Sequence, residues 1–240
     1  MAFLAAGKTD VGLVRKENQD SYLILPEKTL YVIADGMGGH AGGRQASQIT
    51  VEILRRELMH SEALDETLVE RALALANAGI MEAAAANRWD GMGTTLVLAF
   101  YAGGLWKVAH IGDSRAYEIN GQGIRALTKD HSLVGELLAS GSITPEEAKV
   151  HPHRNVLTRA LGVSGDPKPE WNYTEINDGS YLLLCSDGLY NMVEAEAIQG
   201  AVLAPDRTVE QKAVRLVEEA NRMGGVDNTT VILIRREDGK

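Results

Sequence analysis

The stretch at residues 30–43, LYVIADGMGGHAGG, decides between two folds. Five mostly apolar residues run into Asp35, and five glycines in the next eight residues surround His40. Either the glycines cradle a phosphate, or Asp35 is the working group and the glycines are its surroundings. A dinucleotide site needs G-x-G-x-x-G, or Ala in the last place, between a strand and a helix. Gly36, Gly38 and Ala41 satisfy that spacing. The next part of the chain does not fit, because a Rossmann unit continues into a second parallel strand that ends in an acid. A second amphipathic stretch, EALDETLVERALALANAGI at 62–80, takes that place. A P-loop ends in Gly-Lys-Ser/Thr; Gly43-Arg44-Gln45 lacks both the lysine and the hydroxyl.

Working outward, apolar strand-like runs occupy 30–34, 94–101, 105–112, 180–186 and 229–236, with weaker ones at 3–7, 21–25, 115–119 and 123–127. Between 94 and 127 they succeed one another through short glycine turns. Parallel crossovers need a dozen or more residues, so these strands are antiparallel. Apolar residues at helical spacing predict helices over 44–59, 66–87 and 208–222. Thr208 with Gln211 reads as a capping box, and Thr144-Pro145 with Glu147 opens another helix. Strands and helices are segregated, so the fold class is α+β: two antiparallel sheets face to face with helices outside. With no repeat and no Pro/Gly/Ser-rich linker, residues 1–240 read as one domain without a further module.

Composition narrows the function. The chain has 240 residues, a 45% hydrophobic fraction and a formal net charge of −9. A nucleic-acid binder needs a basic face, which this balance does not favour. There is no run of about 18 apolar residues, and MAFLAAGKTD is unlike a signal peptide. The lone Cys185 has no partner for an internal disulfide. A cytoplasmic, monomeric protein is the expectation.

The chemistry lies in a repeated arrangement. Asp35, Asp113 and Asp187 each come after an apolar strand and precede a small residue, while Asp20 and Asp227 each stand just before one. Singly, each is a common strand terminator. Five together suit a cluster of hard oxygen ligands, which selects Mg2+ or Mn2+. Two such cations share a bridging water, lower its pKa and clamp the oxygens of a phosphoryl group that the hydroxide attacks. Arg15 can grip that phosphate bidentately.

Six motifs in order, RKENQD (15–20), ADGMGGHAGG (34–43), GMGTT (91–95), HIGDSR (110–115), LLLCSDGL (182–189) and GGVDNTT (224–230), resemble the metal-dependent protein phosphatase 2C family in its bacterial form. The resemblance spans nearly the whole chain. It implies a four-layer α-β-β-α sandwich, two or three Mg2+ or Mn2+ ions, and hydrolysis of phosphoserine and phosphothreonine in phosphoproteins. It makes Asp35, Asp187 and Asp227 ligands of the first metal, with Asp35 bridging to a second that also takes the Gly36 carbonyl. It gives Asp20 a supporting role through bound water, Asp113 a third, weaker metal, Arg15 the substrate phosphate, and Asn228 the task of steadying Asp227. It also puts a mobile flap at about 132–160. Two positions depart from the eukaryotic pattern: Met37 replaces a histidine and Gln19 a glutamate. The general acid is therefore open, with His40 the candidate.

Other readings are weaker. A cysteine phosphatase needs Arg six residues after its cysteine, and Asn191 holds that place after Cys185; Cys185 reads instead as an inert core residue. A haloacid dehalogenase-type site needs Asp two residues before its second Asp, where Cys185 and Ile33 stand. His151 and His153 flank Pro152 in a polar region and read as surface flap residues, and His131 as structural. The non-enzyme alternative is a pseudophosphatase that only binds phosphoproteins, but such a protein is expected to have lost one of these acids.

Overall fold

The structure is a computed structural model and describes residues 3–38, 40–163, 165 and 167–236, with the side chains of His40 and Ala41 outside the description. Among the described residues, eleven strands form two antiparallel sheets. The first sheet runs in the order β1 (Phe3–Asp10), β11 (Thr229–Arg236), β10 (Tyr181–Cys185), β7 (Arg115–Asn120) and β8 (Gly123–Ala126). The second runs β2 (Asp20–Leu25), β3 (Leu30–Met37), β5 (Leu96–Ala102), β6 (Leu105–Ile111) and β9 (Glu170–Thr174), and the two-residue β4 (Gly93–Thr94) pairs with the end of β3.

The apolar runs are continuous because both faces of each sheet are covered. In β3, Tyr31 and Ile33 point between the sheets while Leu30 and Val32 point out. The outer face of the second sheet packs on α1 (His40–Met59) and α2 (Glu66–Asn87) through Leu54, Leu58, Leu73 and Ile80. In the first sheet, Leu182, Leu184, Ile232 and Ile234 face inward. Leu183, Cys185, Val231 and Leu233 pack outward on α6 (Ala195–Leu203) and α7 (Val209–Arg222). The four layers α-β-β-α are thus observed.

Local chemistry explains the helix ends. Asp65 accepts from the Leu68 N–H to start α2, and Thr208 and Gln211 form the expected reciprocal box on α7. A second such box, Thr144 with Glu147, opens α4 (Pro145–Lys149), which comes after α3 (Leu133–Ala139).

Several elements differ from the sequence expectation, which contained neither α3 nor α6. The run 94–101 is broken at Thr95, whose backbone N–H donates to the Asp35 carbonyl rather than continuing one ladder. Strand β9 has no counterpart in that expectation, because EWNYT sits at a sheet edge and is mostly half-buried, so it lacks alternation. Asp187 opens a one-turn helix, α5 (Asp187–Tyr190), in place of a simple turn. Cys185 is fully buried and burial pushes its thiol up to about 12, as an inert core residue requires.

Leu184 is wholly buried between the sheets. Leu184→Ala is expected to lower stability by about 2–5 kcal/mol, read from the urea unfolding midpoint. A loss below the lower figure would mean that the sheets close over the gap.

Candidate metal centre

The strand ends that carry Asp20, Asp35, Asp113, Asp187 and Asp227 meet at one edge of the sandwich. Asp20 opens β2 and lies directly across the ladder from Asp35 near the end of β3. Asp187 stands two residues after β10 and Asp227 two residues before β11. Those two strands are hydrogen-bonded neighbours, so both acids reach the same edge. Asp113 sits in the turn between β6 and β7, one strand in each sheet. A cleft of about 270 Å³ opens there. It is lined by Asp35, Asp113, Asp187 and Asp227, with Arg15 as the sole cationic side chain among its described lining residues.

Asp20 is buried behind the cleft. Its Oδ2 accepts from Ser186 Oγ at 2.8 Å and Thr230 Oγ1 at 2.6 Å, while its Oδ1 has no hydrogen-bond partner among the described residues. The Asp35 backbone is held by the two threonines of GMGTT: Thr94 Oγ1 donates to the Asp35 carbonyl at 2.8 Å, and the Asp35 N–H reaches Thr95 Oγ1 at 3.2 Å. Asn228 clamps three segments. Its own N–H donates to Asp227 Oδ1 at 2.8 Å, its Oδ1 accepts the Gln19 N–H at 2.8 Å, and its Nδ2 donates to the Val11 and Glu17 carbonyls at 2.9 and 3.0 Å.

Gly36 is required by close approach. A Cβ there would lie 2.1 Å from the Gly43 carbonyl oxygen and 2.7 Å from that of Gln19. The glycine loop therefore folds back on Asp35 and brings the start of α1 against it. His40 is the first residue of α1, and its side chain lies outside the described residues.

The electrostatics of the cluster are unfavourable. Burial is the largest cause raising the Asp35 carboxyl well above the usual range, followed by the charges of Asp20, Asp187, Asp113 and Asp227. Asp187 is raised well above it for the same first reason, then by Asp113, Asp227 and Asp20. Burial also lifts Asp20 and Asp113 to about 6. One guanidinium cannot offset these charges. Arg15 Nη2 donates to Asp227 Oδ2 at 2.6 Å, which raises the arginine further. The donor set is oxygen only, crowded and anionic, with one orphaned buried carboxylate oxygen. It fits hard divalent cations.

The sequence did not reveal the support of Asp113. Tyr190 Oη donates to its carbonyl at 3.0 Å, and the Arg115 guanidinium stacks 3.5 Å over the Tyr190 ring while pairing with Asp130 at 2.8 and 2.7 Å. The His131 ring stacks on His110 at 4.5 Å, and His131 Nδ1 accepts the Gly112 N–H at 3.2 Å. Ligand atoms of His110, His131 and Glu170 fall within 4.8 Å of one another. However, Arg159 Nη1 also lies 3.2 Å from His131 Nε2, so this cluster is a hydrogen-bonded brace for the Asp113 turn. The His151 and His153 rings sit 5.8 Å apart outside that cluster. Asn155 and Leu157, from the 132–160 segment, line the cleft and had no signal in the sequence.

Known proteins share this arrangement. The family described as Protein phosphatase 2C matches residues 14–220. The chain belongs to the protein phosphatase 2C family. The serine/threonine phosphatase stp of Listeria innocua is 40% identical over 238 residues, covering 95% of this chain and 94% of that one. The crystal structure of the Mycobacterium tuberculosis serine/threonine phosphatase PstP/Ppp superposes with a TM-score of 0.90 at 37% identity, over 99% of this chain and 100% of the other. A structure of the PstP catalytic domain in complex with two manganese ions gives 0.88 at 36% identity, over 98% and 99%. The phosphatase 2C membership, the sandwich and the acid cluster therefore agree. Among the described residues, no helix is long and apolar enough to cross a membrane.

A carboxyl whose folded pKa lies above its unfolded value binds more protons when folded. Its contribution is fully present in acid and is lost as pH rises through the folded value. With chelator present, stability in urea is expected to fall between about pH 4 and about pH 7. Asp35→Asn removes one of the crowded charges, and is expected to raise metal-free stability at neutral pH by on the order of 1–3 kcal/mol. Equal or lower stability for that variant would contradict the crowding.

Proposed function

We propose that this protein is a phosphoprotein phosphatase that hydrolyses phosphoserine and phosphothreonine monoesters with Mg2+ or Mn2+. One observation carries this reading: four carboxylates and a single guanidinium converge on one cleft, with a fifth carboxylate buried behind them. The names of the relatives as serine/threonine phosphatases support the same activity. Nothing in the cleft favours the binding-only alternative, since all five acids and Arg15 are in place.

In this proposal Asp35, Asp187 and Asp227 would hold the first cation. Asp35 and the Gly36 carbonyl would hold a second, and Asp113 with Asp187 would serve a third, weaker site. Asp20 acts from behind, keeping its position through Ser186 and Thr230. When bound, such cations lower the pKa of an attacking water and neutralise charge gathering on the phosphoryl oxygens. Arg15 turns its N–H groups from Asp227 to the substrate phosphate, orienting phosphorus for in-line attack. Asn228 keeps Asp227 aimed while that exchange occurs. His40 is assigned the proton that the leaving serine or threonine oxygen takes up. We place the activity in one catalytic domain, with 132–160 as a flap over the cleft, acting as a cytoplasmic monomer.

Phosphate release from a phosphothreonine peptide is expected with Mn2+ and not with chelator. Asp187→Ala is expected to lower kcat by at least about 100-fold while leaving a folded chain. Arg15→Ala is expected to raise KM about tenfold or more, as loss of a charged hydrogen bond does. Full activity of Asp187→Ala would remove that residue from the proposed ligand set.

A further inference from the structure

Beside the cleft lies an exposed apolar face that neither the acid cluster nor the core uses. Leu13 is 69% exposed, Val14 65%, Met223 55% and Val226 48%. Exposed apolar residues scattered singly are ordinary. Leu13, Val14 and Val226 are not scattered, because two loops bring them together, and Met223 stands at the end of α7 just before the second loop. The Leu13 N–H donates to the Gly225 carbonyl at 2.7 Å, and two residues further on Arg15 pairs with Asp227 at 2.6 Å. Val14 and Val226 therefore lie between two points where the loops are tied. Gly12 has φ +79°, and a Cβ there would sit 2.5 Å from the Asp227 carbonyl oxygen, so the loops are in direct contact. A Cβ on Gly225 would lie 2.9 Å from Leu13 Cγ, so the leucine covers that turn. Asn228 adds two more ties, to the Val11 and Glu17 carbonyls. The face is thus braced from both sides.

Its position names its occupant. Arg15, Asp227 and Asn228 belong both to these loops and to the cleft lining. A substrate whose phosphate reaches Arg15 has its neighbouring Cα atoms about 3.8 Å along the chain. Those neighbours must leave the cleft beside Arg15 and Asp227, and the exposed Val14 and Val226 immediately precede those two lining residues. We propose that Leu13, Val14, Met223 and Val226 receive the residues flanking the phosphorylated side chain and select apolar ones. This rests on the phosphatase reading of the same cleft. Apolar flanks gain by leaving water there, while polar flanks gain nothing.

The test compares two phosphothreonine peptides in Mn2+, identical except for leucine or serine on both sides of the phosphothreonine. The wild type is expected to prefer the leucine peptide about tenfold in kcat/KM, mainly through KM. The double variant Val14→Ser/Val226→Ser is expected to reduce that preference to about twofold or less. Absence of any preference in the wild type overturns the inference without needing a variant. A preference that survives the double substitution overturns it too. If the substitutions leave selectivity alone but dissociate a dimer in solution, the face is a contact between copies and the inference falls. If the wild type hydrolyses neither peptide, the phosphatase reading fails, and this inference with it.

Discussion

The crowding of five carboxylates, one buried and four half-buried, at one edge of the sandwich is the constraint on which the rest of this molecule depends. Asp20 and Asp35 face each other across one ladder, and Asp113, Asp187 and Asp227 close in from the other strand ends. Each would move apart if its backbone allowed it. None is allowed to, because the strands that carry them are buried on both faces between layers of helix and sheet. The sandwich core thus supplies the energy that holds an unfavourable charge cluster in place. Sites of this kind trade stability for function.

The smaller devices around the cluster serve the same end. Thr94 and Thr95 interrupt a strand to hold the Asp35 peptide, and Ser186 and Thr230 hold Asp20. Asn228 ties the chain before β2 to the chain before β11, so that residues more than 200 apart in sequence act as one loop pair. The Arg115–Asp130–Tyr190 group and the stacked histidines do the same for the Asp113 turn. The tying of the loops at 13–15 and 225–227 also explains why apolar side chains can stand exposed beside the cleft without collapsing into it.

Much of this was legible in the sequence, and the exceptions have physical causes. Strands such as 229–236 show as continuous apolar runs because both faces are covered, and helices such as 66–87 show their period because one face packs. Strand β9 lay hidden because a half-buried edge strand imposes no alternation. The acids Asp35, Asp113 and Asp187 were visible because each ends an apolar run. The roles of Thr95 and Tyr190 were not, because a hydroxyl looks the same along the chain whether it faces water or a partner 60 or 77 residues away. Asn155 was hidden for the same reason, since nothing beside it in sequence marks the cleft it lines.

By itself, the sequence determined the fold class, the order of the principal strands and helices, and the identity of the acids. Those depend on local period and on residue chemistry, which are written along the chain. The tertiary structure alone decided that Asp20 lies across from Asp35, that Gly36 is a glycine because the Gly43 and Gln19 carbonyls press on it, and that Arg15 reaches Asp227. It also decided that the loops carrying Val14 and Val226 are tied to each other. These are matters of register and of distance between remote segments. Only packing sets them, because nothing in a residue's neighbours along the chain records what will arrive from the other sheet.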